Sequence, residues 1–439
     1  MDLRRLDQEY LIHPVHSAQD QREAVLFVSG EGALLRDREE REYLDGLSSL
    51  WNVHAGHGRR ELAQAAADQM ARLAYASAYS GYTNEPAVRL AQRLVALAYP
   101  NLSGVYFTTG GAESNETAFK LARYVWRRRG LEGKTKIISR HHGYHGVTMA
   151  AMSATGISAF HTMFAPVVPG FVHVLPSYPY RYPGATAVES LEAAIRREGA
   201  ETVAAVIAEP VIGAGGVIAP AAEYFPAVRA ICDRYEVLLI ADEIITGFGR
   251  TGRWFALDHW GVRPDMVTFA KGVTSAYLPL GGVMVSREIH AGILEAPAAE
   301  RFMHAATYSG HPACCAVGLA NLDILEREGL VERAAAAGRR LLEGLEALRD
   351  FPGVGDIRGL GLMAGIELVS DKAAKTPALG LGARVLRQAR ERGLITRIRP
   401  GQGGETPIGD VICLAPPLII SDAQIDRIVT ILRESILAA

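Results

Sequence analysis

The middle of the chain alternates short apolar runs with longer amphipathic stretches, and nothing else in the sequence restricts the fold as much. Runs such as 203–208 and 237–241 have no polar face. Strands built from them need cover on both sides, which parallel strands joined by crossover helices provide. This reading predicts seven strands, at 105–108, 136–139, 172–175, 203–208, 237–241, 266–270 and 282–285. Between the first two, residues 113–129 read as a helix with Ala118, Leu121, Ala122 and Val125 on one stripe. Glu113 and Glu116 lie in its first turn, Arg127, Arg128 and Arg129 in its last, and Gly130 follows as a stop.

The two ends of the chain read differently. Residues 24–28, 33–36 and 43–45, separated by Gly30, Gly32 and Gly46, predict a small antiparallel meander. Residues 313–349 read as almost continuous helix, and 353–439 return to mixed strand and helix with a strand at 361–368. A chain of 439 residues suggests two or three domains at roughly 150 residues each. The expected organisation is α/β: a large domain over 61–312 with a mostly parallel seven-stranded sheet, and a smaller α+β domain drawn from 1–60 and 313–439.

Forty-six Lys and Arg against 48 Asp and Glu leave a net charge of −2, which gives no global positive field for nucleic acid or an acidic membrane surface. No apolar stretch approaches the roughly 18 residues of a membrane helix, and the first ten residues show no secretory pattern. Cys232, Cys314, Cys315 and Cys413 show no C-x-x-C spacing. The expectation is a soluble, cytoplasmic protein with small-molecule partners.

The chemistry is concentrated at predicted strand ends. Residues 237–241 lead into Asp242 and Glu243, residues 203–208 into Glu209, and residues 266–270 into Lys271 and Gly272. Ligands of open α/β sheets bind at the carboxyl ends of the strands. Taken singly, the carboxylates could be structural salt-bridge partners and the lysine a snorkelling surface residue. At one sheet edge, an amine beside a carboxylate is the arrangement needed for a Schiff-base nucleophile and a partner for a pyridinium nitrogen. A third handle is the passage from strand to helix through Gly110, Gly111 and Ala112, where free N–H groups at a helix start form a phosphate cradle.

Ordered segments along nearly the whole chain carry a resemblance. They are Leu50 to Gly58 with Trp51, His54 and Gly56; Thr109 to Asn115; Gly143-Tyr144-His145-Gly146; Glu209-Pro210 with Gly213, Gly215 and Gly216; Asp242-Glu243 with Gly247, Gly249 and Gly252; Lys271-Gly272; Thr307 to Pro312; and Ala415-Pro416-Pro417-Leu418. The chain resembles the class III aminotransferases of pyridoxal-phosphate fold type I, and within them the ω-aminotransferase (amine:pyruvate) branch. The resemblance implies transamination between a primary amine or ω-amino acid and a small keto acid such as pyruvate. Lys271 would form the internal aldimine with pyridoxal 5'-phosphate and shuttle the proton, and Asp242 would pair with the ring nitrogen. Ile244 and Tyr144 would cover the two ring faces. Gly110, Gly111 and Ala112 would hold the phosphate, joined by Thr307 from the neighbouring subunit of a homodimer, with Glu209 near the ring hydroxyl.

For the substrate, the resemblance implies one movable arginine in the C-terminal domain, which grips the keto-acid carboxylate and swings out when an apolar amine occupies the same pocket. Arg397 fits, with Arg399 close behind, and Trp51, Tyr79 and Tyr82 are candidate pocket aromatics. The phosphate turn departs from the family, which often carries serine or threonine where this chain has Gly110 and Ala112. Another reaction on the same scaffold, an aminomutase or decarboxylase, is the main alternative. A metal-dependent hydrolase built on His141, His142 and His145 is a remote one, since a glycine-containing loop offers these histidines no rigid geometry and no metal is expected. His145 reads instead as support for the stacked Tyr144 ring. Gly247, Gly249 and Gly252 satisfy G-x-G-x-x-G, but no helical stripe and no suitably spaced acid follow, so a nucleotide fingerprint is not expected there.

Overall fold

The structure, a computed structural model, describes residues 2–15, 17–79, 81–182 and 184–439. Three strands come first: β1 (Phe27–Glu31), β2 (Leu34–Asp37) and β3 (Glu42–Asp45). Seven follow in the body of the chain: β4 (Leu102–Thr108), β5 (Lys136–Arg140), β6 (Phe171–Val174), β7 (Val203–Ala208), β8 (Leu238–Asp242), β9 (Met266–Phe269) and β10 (Gly281–Ser286). These seven form one sheet in the order β4-β10-β9-β8-β7-β5-β6. Every neighbouring pair is parallel except those of β10, which runs antiparallel to β4 and β9.

The expected seven strands are all present, with ends shifted by up to three residues. Strand β7 is buried at every position, as strands covered on both faces must be. The helix Gly111–Arg128 begins two residues earlier than expected, directly on Gly111. Its Ala118, Leu121, Ala122 and Val125 pack with Ile137, Ala205, Ile207 and Ile240 of the sheet.

The two ends of the chain meet in a second sheet. After β11 (Val354–Gly359), β12 (Ala364–Asp371) and β13 (Thr376–Pro377) comes β14 (Leu394–Ile395), which joins the meander in the order β1-β2-β3-β14 and pairs parallel to β3. The last strands, β15 (Arg397–Arg399) and β16 (Val411–Leu414), complete the sheet β11-β12-β16-β15. The strand expected at 361–368 begins only at Ala364. Gly361 adopts φ +57°, and a Cβ there would lie 2.3 Å from the carbonyl carbon of Thr251, so the chain turns before it can pair. The expected helical stretch from 313 is two helices, Pro312–Arg327 and Leu330–Glu346, broken at Gly329, where φ is +59°. The first packs on the helices Arg60–Arg72 and Glu85–Leu97.

The G-x-G-x-x-G segment after β8 makes no nucleotide turn. It carries Arg250, fully buried, whose guanidinium donates to the carbonyls of Leu362 (3.1 Å) and Pro416 (2.6 Å) and to Ser48 Oγ (2.9 Å). One side chain thus ties the central sheet to both terminal segments, and its burial pulls the guanidinium pKa down to about 9. The four cysteines are buried free thiols. Among the described residues no helix is long and apolar enough to cross a membrane.

Candidate active site

Three adjacent parallel strands, β7, β8 and β9, deliver Glu209, Asp242 and Lys271 to one cavity of about 200 Å³. Asp242 is the last residue of β8. Lys271 lies two residues beyond β9, later than its sequence suggests. Ala270 leaves the ladder at φ −166°, ψ −148°, and Lys271 takes a left-handed φ of +48°. That conformation is uncommon for a residue with a Cβ. Behind it, Gly272 is required, because a Cβ there would sit 2.4 Å from the His54 ring.

The Asp242 carboxylate is oriented from three directions. Its Oδ2 accepts from Asn115 Nδ2 at 2.9 Å and from His145 Nδ1 at 2.8 Å, and its Oδ1 accepts from the Ile244 N–H at 3.2 Å. The expectation for His145 is therefore corrected. It braces the aspartate rather than the Tyr144 ring, because its backbone, held by Thr155 Oγ1 at 2.9 Å, turns the imidazole toward β8. Glu209 accepts from the N–H groups of Tyr144 (2.9 Å) and Gly213 (2.8 Å), while burial raises its pKa. Burial likewise lowers the Lys271 ammonium to about 8, against the opposing pull of Asp242 and Glu209.

The cavity is also lined by Gly111, Ala112, Tyr144, His145, Ile244, Trp51 and Arg397, so ten of the residues singled out in the sequence converge. Gly111 and Ala112 open their helix without a side-chain cap, which leaves N–H donors of the first turn unsatisfied by the chain. Gly111 has to be glycine-sized, since a Cβ would come within 2.8 Å of Ile244 Cδ1. The Tyr144 ring rests on Phe160 at a centroid distance of 5.6 Å. Trp51 is almost completely buried, with Lys271 Nζ 5.6 Å and Arg397 Cζ 5.4 Å from its ring centroid.

Other expected site residues lie outside this cavity. Gly110 is the extended residue before the helix and does not line the cavity. Tyr79 and Tyr82, 56% and 72% exposed on an irregular segment, lie outside it. So does Thr307, which is exposed and whose carbonyl accepts from the Tyr75 hydroxyl at 2.6 Å. Of the two candidate arginines, Arg397 lines the cavity and Arg399 does not; Arg399 is buried, donating to Gln402 Oε1 at 2.7 Å and His142 Nδ1 at 3.2 Å. Among the described residues no group of histidine, cysteine and carboxylate side chains is arranged to hold a metal. His141 instead stacks on His173 at 5.6 Å.

The sequence reading gave Asn115, Leu50, Gly146, Val147, Ala214 and Ile245 no role, although the first three lie inside its motif segments. Asn115 binds Asp242, and the others line the cavity. Glu243, next to Asp242, is structural. It accepts from the Tyr99 hydroxyl (2.6 Å), the Leu257 N–H (3.2 Å) and the Thr246 hydroxyl.

The family model for aminotransferase class-III matches residues 16–436. The chain belongs to the class III aminotransferases. A thermostable (S)-enantioselective omega-transaminase from Thermomicrobium roseum is 46% identical, with a TM-score of 0.94 over 100% of this chain and 98% of that one. An amine transaminase from an uncultivated Pseudomonas species, solved in its PLP-bound form, is 37% identical with a TM-score of 0.93, covering 98% of each chain. A putrescine–pyruvate aminotransferase from Pseudomonas aeruginosa is 37% identical over 94% of this chain and 90% of its own. This class III aminotransferase is therefore a pyridoxal-phosphate-dependent transaminating enzyme of fold type I.

Its residues fit that cofactor. The cavity is smaller than the roughly 300–1,000 Å³ of typical drug-sized sites, suiting a single substituted ring. An amine for the aldehyde, an acid for the ring nitrogen and a helix start for the phosphate stand on three of its walls.

Proposed function

We propose that the enzyme moves an amino group from a primary amine or ω-amino acid to a small keto acid, pyruvate first among them. The observation that carries this reading is the meeting of Lys271, Asp242 and Arg397 in one small cavity. When bound, the cofactor supplies the electron sink for the substrate's carbanion.

The chain's own residues do the rest. Lys271 Nζ would be the nucleophile toward the cofactor aldehyde and would carry the proton at the substrate carbon. A midpoint near 8 suits that work, because an acid–base group is most effective with a pKa near the operating pH. Asp242, with Asn115 and His145 fixing one of its oxygens, would keep a proton on the ring nitrogen. Glu209 would stand by the ring hydroxyl, Ile244 and Tyr144 would cover the ring, and the N–H groups of Gly111 and Ala112 would take the phosphate.

Arg397, poised over Trp51, binds the keto-acid carboxylate. Among the described residues it makes no ion pair, so it is available to a ligand. The name of the Pseudomonas aeruginosa relative, which pairs putrescine with pyruvate, supports both halves of the reaction. The same reading includes a cytoplasmic homodimer in which Thr307, exposed in one subunit, reaches the phosphate of the other. It also includes a large domain over 61–312 with a small one from 1–60 and 313–439, a division supported by the pairing of β14 with β3.

The test is alanine formation from pyruvate with a panel of amines. Alanine should accumulate, and Lys271→Ala should abolish turnover and the visible cofactor absorbance together. Amino transfer to other keto acids without any alanine from pyruvate would overturn the acceptor assignment.

A further inference from the structure

Trp51 reaches the cavity at the end of a segment with an unusual backbone. Ser48, Ser49 and Trp51 have φ of +49°, +57° and +57°, and none of them is glycine. Ser49, at φ +57° and ψ −79°, lies near the γ-turn region, which is rare and strained. Strain of this kind persists only where surrounding contacts over-determine it, and it gathers at functional sites.

The contacts that hold the segment converge on one side chain. Asp45 is fully buried at the end of β3, and its carboxylate accepts from the N–H of Leu47 at 3.1 Å and from the N–H of Ser49 at 2.9 and 2.8 Å. It also accepts from His57 Nε2 at 2.8 Å. Asp45 is at the same time the residue paired with Ile395 in the parallel β3/β14 ladder, and the next N–H, that of Gly46, donates to the Ile395 carbonyl at 2.8 Å. Two residues past Ile395 the chain delivers Arg397. The segment carrying the indole and the segment carrying the guanidinium are therefore both anchored at Asp45, and their ends stack at 5.4 Å.

We infer that Asp45 is a positioning residue for substrate choice: by holding Ser48–Trp51 in its strained course it fixes the indole as a platform for Arg397, and so sets how tightly a keto-acid carboxylate is gripped. The inference rests on the reading of Arg397 as the carboxylate-binding residue. A guanidinium over an indole face is held by the ring's quadrupole. With the platform in place, the arginine's inward position over the indole is favoured before the keto acid arrives. If the platform drifts, the arginine has to be ordered by the keto acid itself, and the affinity for that substrate falls. An amine without a carboxylate does not use the arginine, and though it shares the cavity with Trp51 it loses far less from the change.

Strain that serves binding makes a prediction an ordinary packing role does not. Ser49 is exposed, so Ser49→Gly removes little contact and relieves the backbone. In the holoenzyme this variant should raise Tm by roughly one to three degrees while raising the KM for pyruvate by about 3- to 30-fold, the span of a cation–π contact. The kcat should stay within about twofold, as should the KM of a simple alkylamine. Asp45→Asn should raise the pyruvate KM at least as far and keep the visible cofactor absorbance. Should Asp45→Asn fail to fold, Ser49→Gly decides alone.

A fall in Tm for Ser49→Gly, an unchanged pyruvate KM, or equal losses for pyruvate and the amine would each overturn the inference. Arg397→Ala separates the two levels. If it leaves the pyruvate KM untouched, the reading of Arg397 is wrong and the inference falls with it. If it raises that KM while Ser49→Gly does not, only the role of Asp45 is lost.

Discussion

Lys271 gives the most quantitative handle on the site, because its environment changes how much of it is a nucleophile. Burial lowers its ammonium from an ordinary 10.5 to about 8, Asp242 and Glu209 push it back up, and Arg397 lowers it further. At pH 7 an amine with a midpoint of 8 is about one-eleventh neutral, against about one part in three thousand at 10.5, so Lys271 should react roughly 300-fold faster than an exposed lysine of equal intrinsic reactivity. The assay is labelling of the apoenzyme with a small aldehyde, trapped by borohydride and quantified on the Lys271 peptide, from about pH 5 to pH 10. Labelling should rise about tenfold per pH unit and level off near pH 8.

The variants carry opposite signs. Asp242→Asn removes an upward push and should move the midpoint down; Arg397→Ala removes a downward push and should move it up. The unfolded chain binds this proton more readily between about pH 8 and 10.5. The apoenzyme should therefore gain stability as pH rises through that window, and below it carries a burial cost on the order of 3 kcal/mol. A midpoint near 10.5, or an upward move on Asp242→Asn, would refute the reasoning.

Three further expectations follow from single contacts. Arg397→Ala should lower kcat/KM for pyruvate by about 10- to 150-fold, the worth of a charge-assisted hydrogen bond, and leave that for an alkylamine nearly unchanged in steady-state assays. Asn115→Ala deprives Asp242 of its 2.9 Å bond, so cofactor retention on dialysis should weaken by about tenfold or more. Tyr99→Phe takes the 2.6 Å hydroxyl from buried Glu243 and should cost about 1–3 kcal/mol in denaturant unfolding while leaving the visible cofactor absorbance intact.

What the sequence disclosed and what it hid divide along a physical line. The central sheet was legible because its strands are apolar on both faces, and only parallel strands under helices tolerate that. Glu209, Asp242 and Lys271 were legible because they follow those strands directly, and a parallel sheet brings consecutive carboxyl ends to one edge. Asn115 carried a signal that the reading passed over. It lies three residues before Ala118 and seven before Ala122, so the buried stripe of its helix runs through a polar residue. Arg397 and Arg399 could not be separated by pattern, because residues two apart on a strand share a face. They differ in position along β15: one reaches Trp51, the other stops at His142. The course of Ser48–Trp51 was invisible, since nothing in Ser-Ser-Leu-Trp announces positive φ; it is imposed by Asp45, which is tied down by a β-ladder partner 350 residues away.

Burial alone does not mark the functional lysine, and a second lysine shows why. Lys134 is also buried and its ammonium is also lowered by burial, but it donates to the carbonyls of Ala200, Val203, Tyr235 and Glu236 at 2.8 to 3.4 Å and lies 4.4 Å from the centre of the Trp126 ring. An ammonium has three donors, and the chain itself occupies all of them. The Lys271 ammonium donates to no acceptor among the described residues and lies 5.6 Å from the centre of the Trp51 ring. The same contrast separates Glu243, whose oxygens are taken by Tyr99, Thr246 and Leu257, from Asp242, whose Oδ1 has only the long 3.2 Å bond to the Ile244 N–H. Buried polar groups are normally satisfied, and each exception needs a cause. Other buried polar atoms of the chain also lack partners, but Lys271, Asp242 Oδ1 and the first N–H groups of the helix Gly111–Arg128 face one cavity, and a phosphorylated pyridine aldehyde would satisfy these together.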